Sequence, residues 1–240
     1  MPKASQNTPR GFSTLNEKPL HAALKAWYAR PGDQCEAAVD GFVIDIVRGD
    51  LLIEIQTRNF AALKRKVIAL AANHPVRLVY PIAREKWIVK LPEEGAGPPS
   101  RRKSPKRGTL LQIFEELVSF PSLLVSGNFS IDVLFIQEEE VRRHDAGRGW
   151  RRKGWITEER RLVQVMDVQR LETPEDVRTL IPATLAEPFT TADLAAATAQ
   201  SRRLARKMVY CLREMGVLIS VGKRGNAILY ERRSATERAT

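Results

Sequence analysis

Hydrophobic and polar residues follow regular periods along most of the chain, and these periods predict alternating helices and strands. Four apolar residues recur at helical spacing, namely Leu20, Ala23, Leu24 and Trp27. They predict a helix of about three turns that ends before Pro31-Gly32. A short strand is expected over residues 35–39. Two runs rich in Val, Ile and Leu then flank Arg48-Gly49-Asp50, so residues 41–57 are predicted to form a β-hairpin.

The next segment combines a basic helix with a buried strand. Residues 60–73 carry apolar residues at helical spacing together with two lysines and an arginine, which predicts a second, amphipathic helix. The nearly continuous apolar run over residues 76–82 is typical of a buried parallel strand, closed at Pro81, and a further short strand is expected over residues 86–91. The order helix, three strands, helix, strand predicts an α/β domain over residues 15–92.

A change of composition marks the end of this domain. Residues 93–108 are rich first in Gly, Pro and Ser and then in Arg and Lys, which predicts a flexible linker with a basic end. Residues 109–171 are expected to form an accessory α+β element with a basic, Gly-containing loop over residues 142–153. Its predicted elements are a helix over residues 110–120 and strands over residues 129–141 and 162–171.

Helix-capping residues organise the C-terminal part of the chain. Three helix starts carry hydroxyl caps, at Thr173, at Thr190 or Thr191, and at Ser201. The third helix stops at Gly216, and two strands then flank a basic turn over residues 222–226. This is the outline of a winged helix over residues 172–233. Residues 1–14 are expected to be disordered, and residues 234–240 form a tail.

Composition narrows the classes of function. The 240 residues carry 39 Lys and Arg against 28 Asp and Glu, a formal net charge of +11. Such a charge favours polyanionic partners, of which nucleic acid is the commonest. An anionic membrane would fit the total equally well, but the basic residues are not gathered on one amphipathic helix. No apolar run could cross a bilayer, no signal peptide is evident, and the two cysteines are far apart. A cytoplasmic protein without a disulfide framework or zinc site is expected.

Two acidic residues stand out because they lie among apolar residues of the predicted hairpin. Asp45 shares a strand face with Val43 and Val47, and Glu54 shares one with Leu52 and Gln56 on the next strand. Burying a carboxylate there is costly unless it finds hydrogen bonds, a counter-charge or a metal. Two of them on adjacent strands therefore suggest a cation. The alternative is that both acids face water on the polar side of a half-exposed sheet.

The same residues resemble the pattern of the PD-(D/E)xK, or restriction-endonuclease-like, superfamily, in its branch of junction resolvases and repair nucleases. The pattern comprises an acid on the leading helix, Glu17, an acid on the second strand, Asp45, and Glu54-Ile55-Gln56 on the third. The resemblance covers about residues 15–91. It implies an α/β fold with a restriction-endonuclease-like αβββαβ core and the hydrolysis of DNA with Mg²⁺ or Mn²⁺ as cofactor.

The chemistry of these residues agrees with that implication. Asp45 and Glu54 offer the oxygen ligands that hard cations prefer, and the resemblance makes them the metal ligands. A metal held there polarises the scissile phosphate and makes a bound water more acidic, giving a hydroxide-like nucleophile near neutral pH. Glu17 is expected to orient a metal-bound water.

One catalytic position departs from the pattern. Gln56 carries no charge where many members of the superfamily have a lysine. Lys64 or Lys66, on the following helix, is a candidate for the missing cation. Arg58 is expected to clamp a phosphate. His21 is expected to lie on the surface of the first helix.

Further DNA contacts are expected from basic residues outside the hairpin. They are Lys64 on the second helix, Arg101, Arg102 and Lys103 in the linker, Arg151 and Arg152 in the basic loop, Arg202, Arg203, Arg206 and Lys207 on the third C-terminal helix, and Lys223 and Arg224 in the wing. The four basic residues near the start of the third C-terminal helix lie where a recognition helix contacts the major groove of DNA. The alternative is a winged helix that binds protein. Trp150 and Trp155 suit stacking on unpaired bases or packing within the accessory element.

Two hypotheses of different class result. The first is a magnesium-dependent DNA nuclease, in DNA repair or defence, which cuts as a monomer or as a homodimer. The second is a non-catalytic DNA-binding or regulatory protein on a degenerate nuclease fold. Gln56 and the cationic surface outside the hairpin favour the second.

Overall fold

The computed structural model describes residues 18–92, 97–145, 147 and 153–233. Its N-terminal elements follow the predicted order of helix, three strands, helix and strand. They are α1 (Pro19–Tyr28), β1 (Gln34–Val39), β2 (Phe42–Arg48), β3 (Leu51–Ile55), a 3-10 turn (Phe60–Leu63) continued by α2 (Lys64–Ala71), and β4 (Val76–Lys90).

The remaining elements are a short strand, a run of helical turns, two long strands and a helical C-terminal unit. They are β5 (Ser100–Lys103), a 3-10 turn (Leu110–Ile113), α3 (Phe114–Leu117), a second 3-10 turn (Pro121–Val125), β6 (Phe129–His144), β7 (Trp155–Leu171), α4 (Pro174–Arg178), α5 (Thr191–Ala197), α6 (Arg202–Glu214), β8 (Leu218–Arg224) and β9 (Ala227–Arg232).

One mixed sheet of seven strands organises the molecule, in the order β1-β2-β3-β4-β6-β7, with β5 also paired to β4. The hairpin β2–β3 is antiparallel, and β3 runs parallel to β4 as a crossover through α2 requires. The predicted hairpin and the predicted parallel strand are therefore confirmed.

The accessory element expected over residues 109–171 is not separate from this sheet. β6 pairs in parallel with β4 along nearly its whole length, and β7 pairs antiparallel with β6. The reason is that most residues of β6 are buried on both faces of the sheet. Water cannot reach the backbone N–H and C=O groups of such a strand, so both of its edges must be hydrogen-bonded to neighbouring strands. The basic end of the expected linker is likewise ordered, because Ser100–Lys103 pairs with β4 as strand β5.

The strand expected to close at Pro81 continues through it. Val79 accepts a hydrogen bond from the Gln56 N–H, and Ala83 accepts one from the Gly108 N–H. Alternate residues point to the same edge of a strand, so the nitrogen of Pro81 faces that edge as well. β3 has already ended there, and the missing N–H of Pro81 interrupts no ladder.

Each face of the sheet carries its own apolar core. On one face, Leu20 and Leu24 of α1 pack with Ile46, Ile53 and Ile55. On the other face, α2, α3 and the C-terminal helices join one continuous cluster, which includes Val67, Phe114, Leu117, Leu204 and Met208. The C-terminal unit is therefore packed against the sheet through α3.

Capping fixes the C-terminal helices as the sequence predicted. Thr173 and Thr190 each form a capping box with the aspartate three residues later, and Ser201 caps α6. The two strands β8 and β9 form an antiparallel hairpin, and Phe189 makes a bridge to Tyr230 beside it. Among the described residues, no helix has the length and apolar character needed to cross a membrane.

Candidate active site

The two acids of the hairpin converge where β2 and β3 separate. Regular pairing between these strands extends only from Arg48 to Ile46 on β2. Beyond that point the Ile55 N–H donates to Oδ2 of Asp45 over 2.8 Å, and the Asp45 N–H donates to Oε1 of Glu54 over 3.3 Å. The Asp45 side chain thus replaces a ladder bond, and both carboxylates are brought to one place.

Burial rules out the alternative in which both acids face water. Glu54 is 3% exposed, and the Asp45 side chain is 20% exposed. A carboxylate that is almost fully buried needs a partner of opposite charge or several hydrogen bonds.

Lys66 supplies that charge. Its Nζ lies 2.5 Å from Oε1 of Glu54 and donates to the carbonyl oxygen of Val43 over 2.6 Å. On the same helix Val67 and Leu70 are buried, so the flank that carries Lys66 is held against β2 and β3. Lys64, the other lysine considered as a substitute cation, is exposed on the surface.

His21 also belongs to this site, and its expected place on the surface was wrong. Its Nε2 lies 3.3 Å from Oδ2 of Asp45, and its side chain is 22% exposed. The signal in the sequence was its position directly after Leu20 and one turn before Lys25, on the flank of the stripe that α1 buries.

The two carboxyls have different proton affinities. Burial raises the pKa of Asp45, but hydrogen bonds from His21 and from the Ile55 N–H outweigh it, so this pKa lies below its ordinary value. For Glu54, burial and the charge of Asp45 raise the pKa to about 7, against the attraction of Lys66. Paired carboxyls whose pKa values diverge are typical of sites that handle a cation or a proton.

The other residues expected to take part in catalysis form no hydrogen bond or ion pair with the two acids among the described residues. The Gln56 side-chain amide donates to the carbonyl of Asn59 over 3.0 Å, so it is tied to the turn after β3. Arg58 is exposed at the mouth of a cleft. Glu17 lies outside the described residues.

The donor set suits a hard cation with few protein ligands. Within the described ranges there is no group of three or more His, Cys, Asp or Glu that could hold a metal. Asp45 and Glu54 therefore provide two carboxylates, and the Ile55 carbonyl is adjacent in sequence. Mg²⁺ commonly binds through one or two carboxylates and keeps several waters, so these residues fit it.

The basic residues expected to bind DNA fall into two groups. Several are paired within the protein: Arg101 with Glu139, Lys103 with Glu85, Arg203 and Lys207 with Glu115, and Arg224 with Asp193. Exposed residues with no ion pair among the described residues are Arg58, Lys64, Arg102, Arg202, Arg206 and Lys223. Arg151, Arg152 and Trp150 lie outside the described residues. Trp155 packs against His144 and beneath the Lys90 ammonium, as expected for a packing role.

Sequence comparison assigns most of this architecture to one family. Residues 18–172 match a family described as a domain of unknown function, DUF8091. The chain belongs to the DUF8091 family. The DUF8091 match starts one residue before α1 and ends one residue after β7, so it contains the whole seven-stranded sheet and the acids of the hairpin.

A relative extends the similarity beyond the DUF8091 region. A protein of Treponema pallidum (strain Nichols), described as uncharacterized, is 30% identical over 224 residues. The alignment covers 92% of this chain and 87% of the relative, so it also includes most of the C-terminal unit. No solved structure matches the chain.

Proposed function

We propose that this DUF8091 protein is a metal-dependent DNA nuclease. The observation that carries the proposal is the convergence of Asp45 and Glu54, from adjacent strands, beside the Lys66 ammonium. Two carboxylates and one lysine on a hairpin and the following helix make up the PD-(D/E)xK set, with the lysine moved from position 56 to α2. The element order from α1 to β4 supports the restriction-endonuclease-like core.

The site residues have distinct roles in this proposal. Asp45 and Glu54 hold Mg²⁺ or Mn²⁺. Such an ion, when bound, stabilises charge on the scissile phosphate and lowers the pKa of water. Lys66 places a positive charge beside Glu54, where it stabilises negative charge that develops on the phosphate. His21 orients Asp45, and Arg58 binds a neighbouring phosphate.

The C-terminal unit is proposed to be a winged helix that binds duplex DNA. Three helices followed by the β8–β9 hairpin support this assignment. Arg202 and Arg206 at the start of α6 and Lys223 in the hairpin are exposed and form no ion pair within the described residues. They are therefore available to phosphates.

A second candidate function is DNA binding without catalysis. It is favoured by the state of the acids, because the Lys66 ammonium already lies against Glu54 and the Gln56 amide is bonded to the Asn59 carbonyl. A folded platform whose charges are satisfied internally needs no metal to be stable.

Cleavage assays separate the two functions. The protein is incubated with labelled linear, nicked and branched DNA in Mg²⁺ or Mn²⁺, alongside Asp45→Asn and Glu54→Gln. Each substitution is expected to lower the cleavage rate at least about 100-fold, because loss of a metal ligand costs more than loss of a group that only hydrogen-bonds a ligand, which costs about 10- to 100-fold. Asp50→Asn, in the exposed turn of the same hairpin, is the matched control.

The control should cut like the wild type. Equal cleavage by Asp45→Asn, Glu54→Gln and the wild type would reject the assigned site. An intact, DNA-binding wild type that cuts no substrate in either metal would favour the non-catalytic function.

A further inference from the structure

A gap in the sheet lies close to the candidate site. β3 pairs with β4 only over residues 76–79, and β5 pairs with the same edge only over residues 87–90. Between them no strand of the described residues pairs with the edge of β4. A cleft of about 430 Å³ opens there, with Tyr80, Lys86 and Gly108 among its lining residues.

The cleft is lined by five cations and one acid. The cations are Arg58, Lys86, Lys106, Arg107 and Arg160, and the acid is Glu140. Lys86 and Arg160 are held by the fully buried Glu138, and Lys86 also by Glu140. Within the described part of the chain, Arg58, Lys106 and Arg107 make no ion pair, although the charge of Arg107 acts on Glu85 at longer range. Three positive charges without a contacting carboxylate therefore surround one opening, an arrangement that attracts an anion with several charges.

The cleft lies between the turn that follows β3 and the C-terminal unit. Arg58 is three residues from Ile55, whose N–H binds Asp45, so the chain limits their separation to about 10 Å. At the other end, Tyr80 and Gln112 also line a cavity of about 350 Å³ that reaches Ser201 and Leu204 at the start of α6. The two cavities share Tyr80 and Gln112 and together form one groove from Arg58, on the turn after β3, to the start of the helix that carries Arg202 and Arg206.

We propose that this groove binds one strand of DNA between the candidate site and α6. The proposal rests on the proposed nuclease function and names its substrate class as DNA with a single-stranded segment. Arg58, Lys106 and Arg107 bind successive phosphates of that strand.

Size and polarity support a single strand. A cleft of about 430 Å³ lies in the range of sites for small ligands, so it accepts one or two nucleotides and excludes a double helix. Tyr80 offers a half-buried ring and a hydroxyl that makes no hydrogen bond within the described residues. Burial raises the pKa of Tyr80 to about 12, so this hydroxyl remains a donor for a base or a phosphate.

Binding measurements without metal test whether the groove binds a single strand, independently of cleavage. Fluorescence anisotropy is measured with labelled single-stranded DNA of about 12 nucleotides, in the presence of a chelator. The double variant Lys106→Glu/Arg107→Glu is compared with Arg65→Glu/Arg213→Glu, which makes the same change in net charge at exposed residues outside the cleft. Thermal melting verifies that both variants are folded.

The cleft variant is expected to bind the single strand at least about tenfold more weakly. The slope of log affinity against log salt should become shallower by about 1.4, or about 0.7 for each lost phosphate contact. The control variant should lose less than about threefold, and a blunt duplex should be affected equally by both variants.

Several results would contradict the proposal that the groove binds a single strand of DNA. They are a wild type that does not bind the single strand, a cleft variant that binds it as the control does, and a loss equally large for the duplex. Tighter binding of the corresponding RNA would overturn the choice of DNA. A wild type that binds the single strand through the cleft but never cuts DNA would reject the nuclease function and would still support strand binding by the groove.

Discussion

At the scale of single residues, the most informative contrast is between two neighbouring acids. Asp45 accepts a hydrogen bond from the Ile55 N–H and lies beside His21, whereas Glu54 is almost fully buried and faces Asp45. The first therefore stays ionised, and the second holds its proton up to about neutral pH. Lys66 lies against Glu54 and competes with any cation that approaches it.

Mg²⁺ binding to the folded protein is expected to strengthen as the pH rises. Because the pKa of Glu54 is raised to about 7, a proton must leave this carboxyl before it can act as a ligand. Affinity should rise about tenfold for each pH unit below about 7 and level off above it, since one proton is released for each ion bound. Isothermal titration calorimetry between about pH 5.5 and about pH 8 measures this dependence. Glu54→Gln should abolish the pH dependence of Mg²⁺ affinity. An affinity of the wild type that stays constant over this interval would contradict the prediction.

The sequence revealed the acids of this site but not their partners. Asp45 and Glu54 interrupt apolar strands, and this pattern is visible without coordinates. Lys64 and Lys66 both follow the hairpin on a helix, but they are about 200° apart around its axis. Which of them meets Glu54 depends on how α2 is rotated on the sheet, and His21 depends in the same way on α1. Tertiary packing alone fixes both rotations.

At the scale of elements, β4 determines where the groove forms. It is the strand that β3, β5 and β6 all share, and the middle of one edge carries no strand. Gly108 closes part of that edge by donating its N–H to the carbonyl of Ala83 over 2.9 Å. The chain passes so close to β4 that a side chain has no space there.

Gly108→Ala is expected to destabilise the protein by about 1–3 kcal/mol, the usual cost of overpacking. A Cβ at this position would lie 2.4 Å from Cγ2 of Ile82 and 2.7 Å from the carbonyl oxygen of Ala83, and the second of these belongs to the strand backbone. Urea unfolding measures the loss. Gly222→Ala, whose Cβ would meet nothing within 4 Å, should change stability by less than about 0.5 kcal/mol. Equal stability of both variants would show that the segment before α3 moves freely.

Local patterns predicted most strands and helices, but they failed at β4 and β5. Pro81 indicated the end of a strand, yet it lies where a missing N–H has no consequence. The basic, Ser-containing stretch at residues 100–103 indicated a linker, yet it forms a short strand on an edge left open by β3. Pairing between distant segments decided both cases, and a local period carries no information about it.

At the scale of the whole molecule, some of the positive charge is exposed and some of it holds the units of the protein together. The carboxylate of Glu115 on α3 accepts hydrogen bonds from the side chains of Arg203 and Lys207 of α6, and Nζ of Lys207 lies 2.6 Å from it. Two of the four basic residues expected on the recognition helix therefore fasten the C-terminal unit to the sheet. This interface was not predictable, because a basic helix start is compatible with either use.

Glu115→Gln is expected to release Arg203, to weaken the hold on Lys207, whose Nζ keeps its bond to the Glu115 carbonyl oxygen, and to strengthen binding to duplex DNA. The salt dependence of log affinity should become steeper by up to about 0.9 for each released cation that reaches a phosphate. The free energy of unfolding should fall by about 1 kcal/mol or less, since this pair is partly exposed. Anisotropy with a labelled duplex and urea unfolding measure the two effects. Glu214→Gln, at the exposed end of α6, is the control, and an equal effect of both substitutions would reject a specific role of Glu115.

The packing of the first helix against the last strand of the sheet also constrains synthesis of the protein. Leu162 and Val165 of β7 complete the cluster that holds Leu20 and Leu24 of α1, and Tyr28 of α1 donates to Asp132 of β6. A nascent chain on the ribosome therefore completes the packing around α1, the helix that carries His21, only after Leu162 and Val165 have left the exit tunnel. More than two thirds of the message is therefore translated before this packing is complete.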